Sequence, residues 1–125
     1  MPSASPTLFR WSDIELDKVT EMVSRKEIRG EHESLVQTYF KKGALVPIHE
    51  HSGPQWIYVL QGVLMLTIGG EVMTAREGDV VHVPADTPHQ VEALDDSFVL
   101  DIRRTREPET SERSSRWVSV RPGGR

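Results

Sequence analysis

No stretch of this chain keeps apolar residues at helical spacing; short alternating runs are cut by glycine, proline and aspartate instead, and that pattern restricts the fold to strands. Glu33 to Phe40 reads as a strand and Lys41-Lys42-Gly43 as the turn after it. Gln55 to Gln61 is a second strand. Val63 to Ile68 and Glu71 to Ala75 flank Gly69-Gly70, a two-residue hairpin turn that requires positive φ. Glu77-Gly78-Asp79 turns into Val80 to Val83, and Pro84 to Pro88 reads as a rigid loop. His89 to Leu94 and Phe98 to Arg104 read as a last hairpin about Asp95-Asp96. Many short strands with Gly/Pro turns imply an all-β barrel or sandwich.

At 125 residues the chain makes one domain, which buries roughly two-thirds of its unfolded surface. Residues 1–7 and the Arg-, Ser-, Glu- and Pro-rich stretch 105–125 read as loop and polar tail, although Arg116 to Val120 has strand character. A formal charge of −4 argues against a nucleic-acid partner. With no cysteine, thiolate ligands, a catalytic Cys and disulfides are excluded. The first residues carry no basic segment followed by an apolar one, and Val63 to Ile68 is far too short to span a bilayer. The expectation is a cytoplasmic protein with neither a membrane nor a nucleic-acid partner.

His49, His51 and Gln55 share parity, so on an extended segment their side chains point to one face. His89, from a second segment, can close a four-ligand site with them. Three imidazoles and an amide oxygen suit one borderline divalent ion (Zn, Mn, Fe, Ni or Co) and leave positions open for a small-molecule substrate. An isolated His-x-His is more often a surface pair, and Gln55 could instead support His49 by a hydrogen bond. His82, between valines, reads as structural, and His32 as an exposed turn residue.

The flanking residues decide for a metal site. Gly43, His49, His51, Gln55 and Gly62, followed by Gly78, Pro84 and His89, resemble the two sequence motifs of the cupins over roughly residues 34–104. Gln55 stands where most cupins carry Glu, and Asp86 and Ala93 replace the usual Gly and Asn. The resemblance implies a cupin barrel, a double-stranded β-helix or jelly roll. A Gln among the ligands is similar to the pectin-degradation cupins that linearise unsaturated uronates. That resemblance implies a catalytic role for Asp101, which matches an inward Asp of the group; Arg103 stands where those proteins have an aromatic residue.

Strand alternation alone leaves those two residues open. In Phe98 to Arg104 the apolar face is Phe98, Leu100 and Ile102, with Val99, Asp101 and Arg103 opposite, in solvent or inside. A two-residue turn at Asp95-Asp96 pairs His89 with Ile102. A loop that includes Ser97 pairs His89 with Arg103 and Val91 with Asp101, on the metal face. The Gln55 strand is apolar on both faces: Ile57 and Val59 lie with the ligand, Trp56, Tyr58 and Leu60 opposite. Either Phe9 and Trp11 cover that outer face or it is the seam of a homodimer.

Neutral ligands leave the full dipositive charge on the ion, a good Lewis acid for a carbonyl or hydroxyl oxygen. Asp101 beside it could move a proton at the neighbouring carbon, while Arg103 or Arg104 holds a carboxylate. The expected activity is a metal-dependent lyase or isomerase on a small acidic sugar or keto acid. The alternatives are an Fe(II)-dependent dioxygenase on the same histidines, a non-catalytic module that binds a sugar or small ligand, and a polyketide cyclase.

Overall fold

The computed structural model describes residues 5–104; the tail 105–125, with the candidate strand Arg116 to Val120, lies outside the described residues. Among the described residues, a 3-10 turn at Trp11–Asp13 is followed by ten strands: β1 (Asp17–Lys18), β2 (Val23–Arg29), β3 (Glu33–Phe40), β4 (Leu45–His49), β5 (Gln55–Gln61), β6 (Val63–Ile68), β7 (Glu71–Arg76), β8 (Val80–Val83), β9 (His89–Ala93) and β10 (Ser97–Arg104). They form a six-stranded sheet, β1-β2-β3-β10-β5-β8, facing a four-stranded one, β4-β9-β6-β7, with every pairing antiparallel. This is the all-β, jelly-roll architecture that the turn punctuation and the motif resemblance imply. Among the described residues no helix is long and apolar enough to cross a membrane.

Period-two alternation builds the core. Phe40, Val59 and Val99 of the larger sheet meet Leu64, Leu66 and Val91 of the smaller one, all buried, while their sequence neighbours face outward. Gly69 and Gly70 close the β6–β7 hairpin with φ of 56° and 86°, the left-handed pair that a tight turn demands. Gly62 has φ 99°, and a Cβ there would run into the Asp96 carbonyl and Ser97.

The expected hairpin about Asp95-Asp96 does not form. β9 pairs with β4 and β6, whereas β10 pairs with β3 and β5, so the Leu94–Asp96 link carries the chain from one sheet to the other. Neither expected register, His89 with Ile102 or with Arg103, exists. The preference for sequential pairing is overridden because a jelly roll alternates its strands between two sheets. Three further strands, β1, β2 and β4, carry no clear signal in the sequence. In β2 the inward positions include Arg25 and Glu27, so the apolar alternation that marks a strand is missing.

The outer face of β5 keeps Trp56 and Tyr58 exposed at 44% and 40%. Trp56 packs against His82 of the neighbouring β8, with ring centroids 4.4 Å apart and the planes tilted by 43°. Phe9 is exposed, and the Trp11 carbonyl accepts a hydrogen bond from Lys26 Nζ on β2, so the N-terminal segment leaves β5 uncovered.

Candidate metal centre

His49, His51 and His89 converge inside the barrel, with one ligand atom from each within 4.8 Å of the others. They come from three places. His49 ends β4, His51 sits in the link to β5, and His89 opens β9, opposite His49. A single extended segment carrying His49, His51 and Gln55 is therefore corrected: β4 and β5 belong to different sheets, and the chain crosses between them at residues 50–54. Strict alternation would also put Val46 and His49 on opposite faces. Pro47 and a register shift between Val46 and His49 bring both to the interior, at a position on an edge strand where proline removes no ladder bond.

Backbone carbonyls set the three imidazoles. Nδ1 of His49 bonds the Pro47 carbonyl at 2.9 Å, Nδ1 of His51 the Gly53 carbonyl at 3.1 Å, and Nδ1 of His89 the Thr87 carbonyl at 2.8 Å. A neutral imidazole that donates from Nδ1 presents a lone pair at Nε2, as a metal ligand must. The loop carrying His89 is tied to that carrying His51, because the Asp86 N–H donates to the His51 carbonyl at 2.8 Å. Asp86 adopts φ 58° at the position where the motif usually has Gly; Asp is one of the few residues that tolerates it.

Gln55 and Asp101 complete the polar cluster. Gln55 Nε2 donates to Asp101 Oδ1 at 3.0 Å, and Thr38 Oγ1 donates to Asp101 Oδ2 at 3.2 Å. The carboxylate thereby turns the Gln55 amide so that Oε1 faces the imidazoles, 3.1 Å from His51 Nε2. That contact sets one lone pair against another, since His51 cannot donate from both nitrogens while neutral. Two ligands of one ion at about 2.1 Å each, seen at a right angle, stand roughly 3 Å apart. His89 Nε2 is buried with no hydrogen-bond partner. The residues therefore fit a divalent metal held by His49, His51 and His89, with Gln55 Oε1 in position to join them.

Burial lowers the proton affinity of all three histidines. The pKa of His49 falls to about 4 and that of His51 to about 3, helped by neighbouring imidazoles and by the Arg103 guanidinium; His89 moves the same way. Asp101 is raised to about 6 by burial, against the opposing hydrogen bond from Gln55, the charge of Arg103, the hydrogen bond from Thr38 and the charge of Arg25. Asp101 and Arg103 are 4% and 7% exposed, on the inner face of β10. Arg103 lies opposite Gln55 on one side and Ser34 on the other. Thr38 is a member of the cluster that no motif marks; its parity with Val36 and Phe40 on β3 is the available signal. His82 and His32 lie outside the cluster.

The metal-free protein should therefore lose stability in acid. Unfolded imidazoles take up protons near pH 6.5 and the folded ones only near 4 and 3, so their share of stability is present above 6.5 and lost as pH falls. Asp101 acts oppositely, stabilising below 3.8 and losing that share as pH rises through about 6. Three histidines outweigh one aspartate. With each tenfold change in proton affinity equivalent to about 1.4 kcal/mol, the net loss from pH 7 to 4.5 is on the order of several kcal/mol. Denaturant titration of chelator-treated protein at both pH values measures it, and equal midpoints would contradict it.

The profile of the cupin domain family matches residues 36–102. Over 66 residues the chain is 38% identical to quercetin 2,3-dioxygenase of Bacillus subtilis, covering 52% of this chain and 18% of that protein. Oxalate decarboxylase of the same organism is 28% identical over 81 residues, 61% of this chain and 21% of that one. The chain thus spans less than two thirds of the length of the curated relatives it matches. Among solved structures, KdgF from Halomonas sp. superimposes with a TM-score of 0.76 at 26% identity, over 86% of this chain and 98% of that one. With the profile covering more than half of the residues and the jelly roll and histidine cluster in place, this chain belongs to the cupin family.

Proposed function

We propose that this cupin is a metal-dependent lyase or isomerase that moves a proton on a small acidic sugar or keto acid. His49, His51, Gln55 and His89 would hold one divalent ion, Asp101 would transfer the proton, and Arg103 would hold the substrate carboxylate. One observation carries this reading: a buried carboxylate, Asp101, hydrogen-bonded to Gln55 beside three imidazoles and not itself among them. Bound there, the metal would polarise a substrate carbonyl or hydroxyl oxygen. Burial puts Asp101 near 6, where it can both give and take a proton around neutral pH. The space left inside the barrel between His49, Gln55, His89 and Asp101 is about 20 Å3, room for roughly one water.

The likeness to KdgF supports the same reading, since the match runs over nearly the whole of that protein. The experiment is proton exchange at carbon in deuterated buffer, followed by NMR, on unsaturated uronates and small keto acids with metal-loaded protein. Exchange on one of these substrates is expected; its absence on all of them would sink the reading. A second reading, Fe(II)-dependent dioxygenation, is favoured by the identity to quercetin 2,3-dioxygenase. Stoichiometric oxygen uptake by the iron-loaded protein would establish that one instead.

The active form would be a homodimer joined through the outer face of the larger sheet. There Tyr39, Trp56, Tyr58 and Val80 are exposed together, an apolar surface unusual for a monomer. Light scattering at micromolar concentration should give twice the chain mass, and Trp56→Glu should return it to the monomer. A monomeric wild type would remove the seam.

A further inference from the structure

The inner face of the larger sheet carries a row of side chains in register: Arg29 on β2, Ser34 on β3, Arg103 on β10 and Gln55 on β5, each directly opposite the next. Directly opposed residues of antiparallel strands share a face, so the row runs from Gln55 at the histidine cluster to Arg29 at the β2 end. In its middle, Ser34 is only 2% exposed, and its Oγ is buried with no hydrogen-bond partner. An orphaned hydroxyl inside a barrel costs on the order of 1–3 kcal/mol, a penalty that a bound group can remove. Its parity with Thr38, whose hydroxyl reaches Asp101, shows that it looks inward.

We infer that Ser34, between Arg103 and Arg29, forms a carboxylate subsite beside the histidine cluster, and that the substrate is an acid whose carboxylate lies away from the group held at the histidines. The inference rests on the proposed function and specifies its substrate class. Strands in a sheet are about 4.8 Å apart, so an anion between Arg103 and Ser34 sits one to two strands, roughly 5–10 Å, from Gln55. Both ends of such a substrate cannot crowd onto the metal, which excludes a two-carbon diacid as a good fit. The charge of the row also selects the anion. Arg29 pairs with Glu27 at 3.0 Å, and Arg25 with the same Glu27 at 3.7 Å and with Asp17 at 3.6 Å, so the arginines at this end share their charge with carboxylates, which favours a single carboxylate over a phosphate dianion. Ser34 would donate its hydroxyl proton to one carboxylate oxygen, and Arg103 would approach the other.

The test uses glutarate, whose carboxylates stand apart, and oxalate, whose carboxylates are adjacent, titrated calorimetrically into the metal-loaded full chain. Inorganic phosphate is the third probe. Wild type should bind glutarate more tightly than oxalate or phosphate. Ser34→Ala, a change small enough for the buried site to accept, should weaken glutarate about tenfold or more while metal content stays as in wild type and the ligand-free melting temperature does not fall. Ser34→Thr, which restores the hydroxyl, should recover much of the loss. Glutarate affinity equal in wild type and Ser34→Ala would overturn the subsite, as would a preference for phosphate or oxalate. Because glutarate does not react and the metal is assayed separately, loss of the subsite is distinguishable from failure of the catalytic proposal, which the exchange experiment reads.

Discussion

Replacing His51 with Ala should strip the protein of its metal. Elemental analysis of the purified wild type is expected to give about one divalent ion per chain, and His51→Ala close to none. Losing a partner that merely orients a ligand costs about 10–100-fold in affinity, and losing a ligand should cost more. His51 is the more telling position because its Nε2 faces Gln55 Oε1 at 3.1 Å. The change therefore removes one ligand and the neighbour against which a second is set. Stability should report the same event. A metal at about a thousand times its dissociation constant stabilises the fold by roughly 4 kcal/mol. For a domain of this size that corresponds to a rise in melting temperature on the order of 10–20 °C, which a chelator should abolish in wild type and which His51→Ala should lack from the start. Equal metal content in the two proteins would remove the site.

Asp101→Asn should abolish exchange while metal and fold persist. The amide keeps nearly the same shape, so Gln55 Nε2 can still donate to its oxygen and Thr38 can accept from its nitrogen. What disappears is the titratable group, and positioned general acid/base groups contribute about 10²–10⁴-fold to rate. The loss should fall on kcat with metal content unaltered, since Asp101 reaches the imidazole cluster through Gln55 and is not one of its members. A variant that exchanges as fast as wild type would place the base on another residue. A variant that also loses metal would show that Asp101 acts by holding the Gln55 amide in place, and the catalytic role would go.

The strands β3, β5, β6, β7, β8, β9 and β10 are all legible from alternation and turn residues, because a half-buried strand must repeat every second residue and a tight turn needs glycine. So are the residues of the histidine cluster, because the spacing from Gly43 to Gly62 and from Gly78 to His89 is itself the signature. The inward direction of Asp101 and Arg103 is half legible: alternation puts them opposite Phe98 and Leu100 but does not say which face is the interior. Only the tertiary structure decides that, by placing β10 between β3 and β5 instead of beside β9. It also decides why His49 points inward, through the register shift at Pro47, and it brings Ser34 and Thr38 to the same wall as Gln55. The physical reason is range. Periodicity and turn chemistry act over a few residues and are written in the chain, whereas the choice of partner strand is made by two sheets burying their faces against each other, between residues as far apart in sequence as Thr38 and Asp101.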